Sequence, residues 1–413
     1  MRNIIIENSD RFKSVLVTVN LLLPLEGDNT GKNALLAMVL KKSNELYKTE
    51  KELKRALGSL YDTQIDVNVE KMGNLYNIQL GMELLNAKYM TANELQNVKD
   101  IFCAILCKPN IINGMFEQEI FDREKASLIQ KISEERDDKK KYALEGLNKE
   151  MFKGSDYGVP TIGTIEMVEK ITNKELVDHY YDIIKKAEVV VTAIGNLNDM
   201  EQFPQDIYNT ICEKCGKNTV KTKEDVETIA ENLEEKVENQ DINQSVLCIG
   251  LKACDTKKED VYALMLYNAI LGGTPASKLF QNVREKESLA YFAKSSYNRY
   301  KQVIYMFSGV DPVNNEKAKQ VMLEQLEIIK RGEISEEEFY AAKQSLVSAY
   351  TELRDSKIAI TRNILNNELY FNHEVPLEDT IANLQNLTVQ DIVEISHKVK
   401  ATNVFLLGGM PSV

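Results

Sequence analysis

The sequence predicts an α+β protein of two homologous domains, each an antiparallel-rich sheet covered by helices on one face. Chain length, alternating apolar runs and a repeated pattern at the end of each half predict this class. At 413 residues the chain is too long for one ordinary core and suits two domains of about 200 residues each. Alternating apolar and polar residues are typical of strands with one covered face. Sheets layered with helices then give the α+β class.

A helix, a strand and a glycine close each half of the sequence. Residues 171–176 (ITNKEL) lead through a predicted helix to residues 189–195 (VVVTAIG). Residues 387–392 (LTVQDI) lead in the same way to residues 404–409 (VFLLGG). This internal similarity indicates one folding unit that is used twice.

The segment between the two repeats predicts a linker. Residues 216–240 are polar and charged, with alternating Lys and Glu and almost no apolar pattern. We therefore interpret residues 1–215 as an N-terminal domain and residues 241–413 as a C-terminal domain. A solvated helix and loop inside one domain is the alternative, but the repeat on either side favours a boundary.

Helix starts are predicted where Ser or Thr is followed three residues later by Glu, because hydroxyl and carboxylate each satisfy a free backbone amide. The pairs are Thr91 with Glu94, Thr172 with Glu175, and Ser335 with Glu338. Alternating or β-branched runs predict strands. The predicted strands are 15–23, 65–69, 76–80, 246–251 and 303–310.

Composition argues against several classes of protein. The 63 acidic and 51 basic residues give a net charge of -12, which repels a nucleic-acid backbone. The apolar run 15–25 is interrupted by Thr18, Asn20 and Pro24, so it predicts a strand rather than a signal peptide or membrane span. Six cysteines are too few for a disulfide scaffold, which favours a reducing, cytoplasmic location. The glycines lack the spacing of a phosphate-binding loop.

Two segments carry a resemblance to a known family. Residues 271–291 read LGGTPASKLFQNVREKESLAY, which resembles the second-domain signature of the pitrilysin/insulinase family of inverzincins, the family of the mitochondrial processing peptidases. Residues 152–164 (FKGSDYGVPTIGT) are similar to the first-domain segment that follows the family's metal-binding helix. The resemblance implies a metallohydrolase clamshell of the LuxS and processing-peptidase kind.

The resemblance also implies where zinc would bind, and those positions carry no ligands. The family reads His-x-x-Glu-His, in which two histidines hold zinc and the glutamate activates the bound water. Met38 and residues 41–43 (KKS) set the register. Asn33 and Ala37 then fall at the histidines and Leu36 falls at the general base.

The family's third zinc ligand, a glutamate, stands one long helix later. Residues 123–132 (REKASLIQKI) resemble that helix and place Lys131 at the ligand position. An ammonium group cannot replace a carboxylate ligand. We therefore expect neither a metal nor another cofactor in this chain, with zinc only in a partner subunit.

A displaced metal site is an alternative. The three histidines, His179, His373 and His397, have no second histidine within metal-ligand spacing, and we expect His179 and His397 to be surface or half-buried residues. The spacing of Cys212 and Cys215 suits zinc or redox chemistry. A further cysteine pair lies one helical turn apart, at Cys103 and Cys107, and simple core packing explains it equally well.

Arg284 and Tyr291 match the arginine and tyrosine through which the family's second domain contacts the substrate backbone. A guanidinium presents several donors to carbonyl oxygens, and a phenol can donate to a developing oxyanion. The structural alternative is that Arg284 pairs with Glu285 or Glu287 while Tyr291 packs in the following strand. No nucleophile elbow or catalytic triad is recognisable.

Together these observations predict a non-catalytic subunit of a heterodimeric zinc-metallopeptidase-like assembly. Such a subunit would hold peptide in a clamshell chamber, without nucleic acid or membrane, and assist a homologous partner that carries His-x-x-Glu-His. Two alternatives stay open. One is a stand-alone peptide-binding or assembly protein, and the other is a metallopeptidase with a relocated metal site.

Overall fold

A computed structural model describes residues 2–222 and 232–408, which form two sheets and their covering helices. This confirms the predicted α+β class. The strands are β1 (Ile4–Asn8), β2 (Ser14–Pro24), β3 (Gln64–Met72), β4 (Leu75–Leu85), β5 (Ile111–Ile112), β6 (Met115–Phe116), β7 (Glu188–Gly195), β8 (Glu234–Asn239), β9 (Ser245–Ala253), β10 (Ala290–Asn298), β11 (Val303–Val310) and β12 (Val399–Gly408). The helices are α1 (Thr30–Leu40), α2 (Glu50–Ser59), α3 (Ala92–Cys107), α4 (Gln118–Asp137), α5 (Lys139–Met151), α6 (Ile165–Lys170), α7 (Asn173–Lys186), α8 (Phe203–Cys215), α9 (Val261–Asn268), α10 (Asn315–Lys330), α11 (Glu336–Glu352), α12 (Lys357–Phe371), α13 (Leu377–Asn386) and α14 (Val389–Ser396).

The two five-stranded sheets have the same topology. Their strand orders are β1-β7-β2-β4-β3 and β8-β12-β9-β11-β10. In each sheet one edge pair is parallel, β1 with β7 and β8 with β12, and the other three pairs are antiparallel. The internal repeat and the antiparallel-rich sheets are thus confirmed.

All five predicted strands are present, as are all three predicted helix starts. Thr91, Thr172 and Ser335 each form a capping box with the glutamate three residues later. The linker prediction is wrong for Glu234–Asn239, which form edge strand β8. Residues 223–231 of the predicted linker lie outside the described residues.

The two compact units are discontinuous in sequence. Unit 1 comprises Met1–Glu134, Val159–Asp225 and Ser356–His373, over their described residues. Unit 2 comprises the rest of the described chain and includes Glu135–Gly158. Helix α5 therefore belongs to unit 2 and helix α12 to unit 1, whereas the sequence places each of them in the opposite domain.

In unit 1, one face of the sheet is apolar and the other has a polar centre. On the apolar face, Val17, Val19 and Leu21 of β2 lie opposite Met82, Leu80 and Ile78 of β4, and all six are buried. Tyr76, on the same face, approaches the carbonyl oxygen of Thr30, which begins α1. On the other face lie Thr18, Asn20, Asn77 and Thr192, which are also buried.

In unit 2, both faces of the sheet are apolar. Leu247, Ile249 and Leu251 of β9 pack with helices α9, α10 and α14 in one core cluster. Their neighbours Val246 and Cys248 pack with Ala143 and Leu147 of α5 in another. The prediction that helices cover one face of each sheet is therefore wrong, because α5 covers the second face here and α12 covers it in unit 1.

Candidate functional site

Helix α1 carries the three degenerate positions of the zinc motif and is a core helix. Its start is fixed by the Thr30 hydroxyl, which donates to the carbonyl oxygen of Gly27 at 2.9 Å. Asn33, Leu36 and Ala37 are 3%, 1% and 3% exposed. Buried residues occur all around the helix, as expected when neighbours surround it. The positions that would meet zinc and substrate in a peptidase are filled by packing.

Asn33 contacts a histidine in this core. The Nε2 of His179, on α7, lies 2.7 Å from Asn33 Oδ1, so the imidazole donates to the amide oxygen. Burial lowers the pKa of His179 from its ordinary value to about 4, and the positive charge of Lys32 lowers it further. The imidazole is therefore neutral at neutral pH. The sequence predicts a surface or half-buried role for His179, and the half-buried role is confirmed.

The predicted third position, Lys131, is exposed on α4. Glu124, two helical turns earlier, is buried on the same helix. Its carboxylate accepts from Arg123 Nε at 3.0 Å and pairs with Lys42 Nζ at 3.4 Å. Both cations also pair with Glu50. Glu124 is not predictable from the sequence, because a charged helix pattern gives no signal for one buried acid.

This arrangement does not fit zinc. Leu36 and Ala37 carry no donor atoms, Lys131 carries a positive charge, and the Asn33 amide oxygen is engaged by His179. Among the described residues, no group of three or more His, Cys, Asp or Glu side chains is placed to hold a metal ion. No step of metal-assisted hydrolysis can be assigned to these residues.

The four cysteines of the alternative metal site lie on helices α3 and α8, which pack together. Cys103, Cys212 and Cys215 are buried, and the Cys107 thiol lies 4.0 Å from the carbonyl oxygen of Thr210. Burial raises the pKa of Cys107 to about 11 and that of Cys215 to about 12. Among the described residues these thiols are not grouped as ligands of a metal ion, and core packing explains their burial.

Arg284 lies on a π-helical segment, Leu279–Lys286, that precedes β10. Leu279 and Val283 are buried and form the inner side of this segment. The Arg284 guanidinium lies over the Phe280 ring, 4.6 Å from its centroid, and its Nε is 3.6 Å from Glu285 Oε1. The alternative ion pair with Glu285 is thus present, although its length exceeds that of a hydrogen bond.

Tyr291 stands at a β-bulge in edge strand β10. Ala290 pairs with Val310 and Phe292 pairs with Gly309, so Tyr291 is the extra residue in the ladder. Its side chain is 69% exposed. A bulge redirects a side chain away from the regular alternation. The alternative in which Tyr291 packs in the strand is therefore wrong.

Gly272, which precedes this segment, allows a close backbone approach. A β-carbon at Gly272 would lie within van der Waals overlap of the backbone nitrogen of Ser295, on β10. Gly272 thus lets the turn approach the edge strand that carries Tyr291. The segment with Arg284 also packs directly on β10.

Comparisons with known proteins show which family the chain resembles. Residues 170–346 match the sequence model of the family described as "Peptidase M16 inactive domain". The "Probable inactive metalloprotease YmfF" of Bacillus subtilis (strain 168) is 29% identical over 409 residues, which cover 98% of this chain and 95% of that protein. Part of the chain thus matches the M16 inactive-domain model, and nearly the whole chain is similar to a probable inactive metalloprotease. The pitrilysin/insulinase resemblance is thereby confirmed.

Two further similarities extend this comparison. The "Uncharacterized zinc protease YmxG" of Bacillus subtilis (strain 168) is 25% identical over 316 residues, which cover 73% of this chain and 76% of that protein. The crystal structure of a conserved protein from Enterococcus faecalis V583 superposes with a TM-score of 0.90 at 27% identity. The superposition covers 99% of this chain and 97% of the Enterococcus faecalis chain.

The degenerate positions on α1 and the similarity to a probable inactive metalloprotease support a non-catalytic role. The matched segment contains Arg284 and Tyr291 and excludes Asn33.

The two remaining histidines are exposed: His397 caps the end of α14, as expected for a surface residue, and His373 lies beside Phe371. No helix among the described residues is long and apolar enough to cross a membrane.

Proposed function

We propose that this chain is the non-catalytic subunit of a heterodimeric M16 assembly in the cytoplasm. In this assembly it binds an extended peptide in a clamshell chamber and assists a homologous partner that carries His-x-x-Glu-His and zinc. The observation that carries the proposal is a contrast: Asn33, Leu36 and Ala37 are buried in a core, whereas Arg284 and Tyr291 face solvent. Core packing has replaced the metal site, and the substrate-contact pair remains available.

The pattern of relatives supports a partner. One organism, Bacillus subtilis (strain 168), has both a relative named as a probable inactive metalloprotease and a relative named as a zinc protease. An inactive chain and an active chain of the same family would form such a pair. The genome that encodes this chain would supply its partner in the same way.

The chemistry of Arg284 and Tyr291 suits an extended peptide. The Phe280 ring beneath the Arg284 guanidinium holds it flat, so its outer N–H groups can donate to peptide carbonyl oxygens. The exposed Tyr291 phenol offers a further donor beside the π-helical segment. An extended peptide can add to an open sheet edge through its main chain, and β3 and β10 are edge strands.

The central experiment measures peptide hydrolysis and zinc content on the same sample. The purified chain is assayed alone and then mixed with a zinc-motif M16 protein from its own genome. We expect no hydrolysis by the chain alone and cleavage that rises when both proteins are present. Metal-dependent turnover by the chain alone would overturn the non-catalytic assignment.

Matched substitutions test the two contact residues. Arg284→Ala should lower peptide binding and cleavage by the mixture about tenfold, through loss of charge-assisted hydrogen bonds. Arg331→Ala is the control, because Arg331 is an exposed arginine paired with Glu333 in the same unit. Tyr291→Phe, compared with Tyr340→Phe at another exposed tyrosine, tests the hydroxyl alone. Full activity with Arg284→Ala would remove its assigned role.

The same samples distinguish the stand-alone binding protein. In that case the isolated chain binds peptide, Arg284→Ala weakens this binding, and no zinc-motif protein changes its affinity or gains activity. Co-purification of a zinc-motif homologue with the tagged chain would instead favour the heterodimer.

A further inference from the structure

Helix α12 covers the polar-centred face of the sheet in unit 1, and its own buried side is mostly polar. Its buried residues are Thr361, Leu365, Asn367, Glu368 and Tyr370. Leu365 is the fully buried aliphatic residue among these five. Three of the five, Thr361, Asn367 and Glu368, are polar or charged, so polar contacts form much of the docked surface of the helix.

Charged groups tie α12 to the sheet at its start. Lys357 Nζ donates to Glu83 Oε1 at 2.6 Å and also to the hydroxyl of Ser14. Ser14 in turn donates to the same carboxylate at 2.8 Å. One turn later, Arg362 Nη2 lies 3.6 Å from Glu70 Oε2.

A second charged tie stands near the end of α12. The buried carboxylate of Glu368 accepts from the backbone nitrogen of Arg2 at 2.9 Å, from its Nε at 3.2 Å and from its Nη2 at 3.1 Å. The Arg2 side chain is 44% exposed, so water and salt reach this pair. Charge pairs thus fasten the helix at both ends.

The sheet beneath α12 carries a polar hydrogen-bonded layer. Asn20 Oδ1 accepts from Asn77 Nδ2 at 3.0 Å and from Gln79 Nε2 at 2.9 Å. The hydroxyls of Thr18 and Thr192 lie 2.7 Å apart. Two buried atoms, Asn77 Oδ1 on the sheet and Thr361 Oγ1 on the helix, have no hydrogen-bond partner among the described residues. A buried polar atom without a partner weakens the docked state.

Helix α5 covers the equivalent face in unit 2 and forms the opposite kind of contact. Ala143 and Leu147 pack against an apolar cluster that includes Phe307 and Phe405. A β-carbon at Gly146 would overlap the Phe405 ring, so no gap separates helix and sheet there. By contrast, a β-carbon at Gly81, on the polar-centred face of unit 1, would meet only Thr18 within 4 Å.

We propose that α12 is a releasable strap, held to its sheet by charge pairs and detached reversibly without unfolding of the remainder, whereas α5 stays docked. Release uncovers a surface centred on hydroxyls and amides, which water can solvate at low cost. The proposal is independent of the subunit role, because it needs neither partner nor peptide. It makes the accessibility of one sheet face depend on ionic strength.

Hydrogen exchange of the full-length chain, followed by mass spectrometry, tests the strap. Peptides that cover α12 should exchange at least about tenfold faster than peptides that cover α5. Raising NaCl from about 20 mM to about 500 mM should speed exchange in α12 and leave α5 unchanged, because salt screens exposed charge pairs. If α12 and α5 exchange at equal rates and those rates depend on salt in the same way, the proposal is overturned.

Substitutions on the two helices sharpen the test. Lys357→Met keeps an apolar stem and removes the charge, so it should speed exchange in α12 several-fold and reduce its salt dependence, while the Arg362–Glu70 and Arg2–Glu368 pairs keep a part of it. The matched control is Lys140→Met on α5, where the ammonium lies over the Phe307 ring. Thr361→Val removes the unpartnered hydroxyl and should slow exchange in α12. If Lys357→Met and Thr361→Val both retain wild-type exchange in α12, the polar contacts do not set its release.

Discussion

The Nε2 of His179 donates to Oδ1 of Asn33 across 2.7 Å. This contact joins the first degenerate position of the zinc motif, on α1, to the repeated helix α7. A ligand position of the family has thus become one end of a buried hydrogen bond within the protein. The position that would hold zinc in the family is thus occupied by a hydrogen bond, and the contribution of that bond to folding stability can be measured.

Asn33→Ala should destabilise the folded state by about 1 kcal/mol, because it leaves the half-buried His179 donor without its acceptor. Urea denaturation measures the change. The control is Asn209→Ala on α8, where the asparagine is exposed and alanine has the higher helix propensity. We expect the control to be neutral or slightly stabilising. Equal effects at both positions would contradict the role of the buried hydrogen bond.

The free energy of unfolding should decrease at acidic pH, because His179 has a lower pKa in the folded chain than in the unfolded chain. Its pKa is about 4 in the folded chain and 6.5 ordinarily, so the unfolded chain binds more protons between these values. The contribution is complete above about pH 6.5 and is lost progressively towards pH 4. Between pH 7 and pH 5 this loss is roughly 2 kcal/mol. His179→Gln should reduce the pH dependence by about that amount, whereas His397→Gln, at an exposed position, should not.

Much of the fold follows from local sequence signals. Capping boxes such as Thr172 with Glu175 fix helix starts through adjacent residues, and the apolar, β-branched run of β2 predicts a strand that is buried along nearly its whole length. Strand β8 is missed because its six residues, EEKVEN, carry one apolar side chain, Val237, and that side chain is exposed. An edge strand without a buried face leaves no period to detect.

The exchange of α5 and α12 is beyond local signals for a different reason. Periodicity shows that a helix has an apolar side, such as that formed by Ala143 and Leu147, but it does not show which of two similar sheets receives it. At the candidate site, the missing ligands at Asn33, Leu36 and Ala37 are readable from sequence. The acceptor role of Asn33 and the bulge at Tyr291 depend on tertiary contacts and are not.

Thiol labelling decides the relocated-metal alternative. In the native chain Cys254 should react first, because it is only partly buried and lies outside the α3–α8 contact. Cys103, Cys212 and Cys215 should react mainly on unfolding, since burial raises their pKa values and blocks access. A chelator should leave the labelling rates unchanged. Faster labelling of Cys212 and Cys215 after chelation would support a metal at these cysteines instead.

The contact between α5 and its sheet predicts opposite effects for two glycine substitutions. Gly146→Ala should destabilise the chain by about 1–3 kcal/mol, because its β-carbon would overlap the Phe405 ring. Gly58→Ala, in α2, should stabilise by about 0.5–1 kcal/mol, since no other described residue lies within 4 Å of a β-carbon placed there and the unfolded chain loses freedom. Urea denaturation of both variants measures these changes.

Phe405→Leu should relieve part of the Gly146→Ala loss, because the two positions are coupled through direct contact. A Gly146→Ala variant as stable as Gly58→Ala would show that α5 does not pack this closely on the sheet of unit 2.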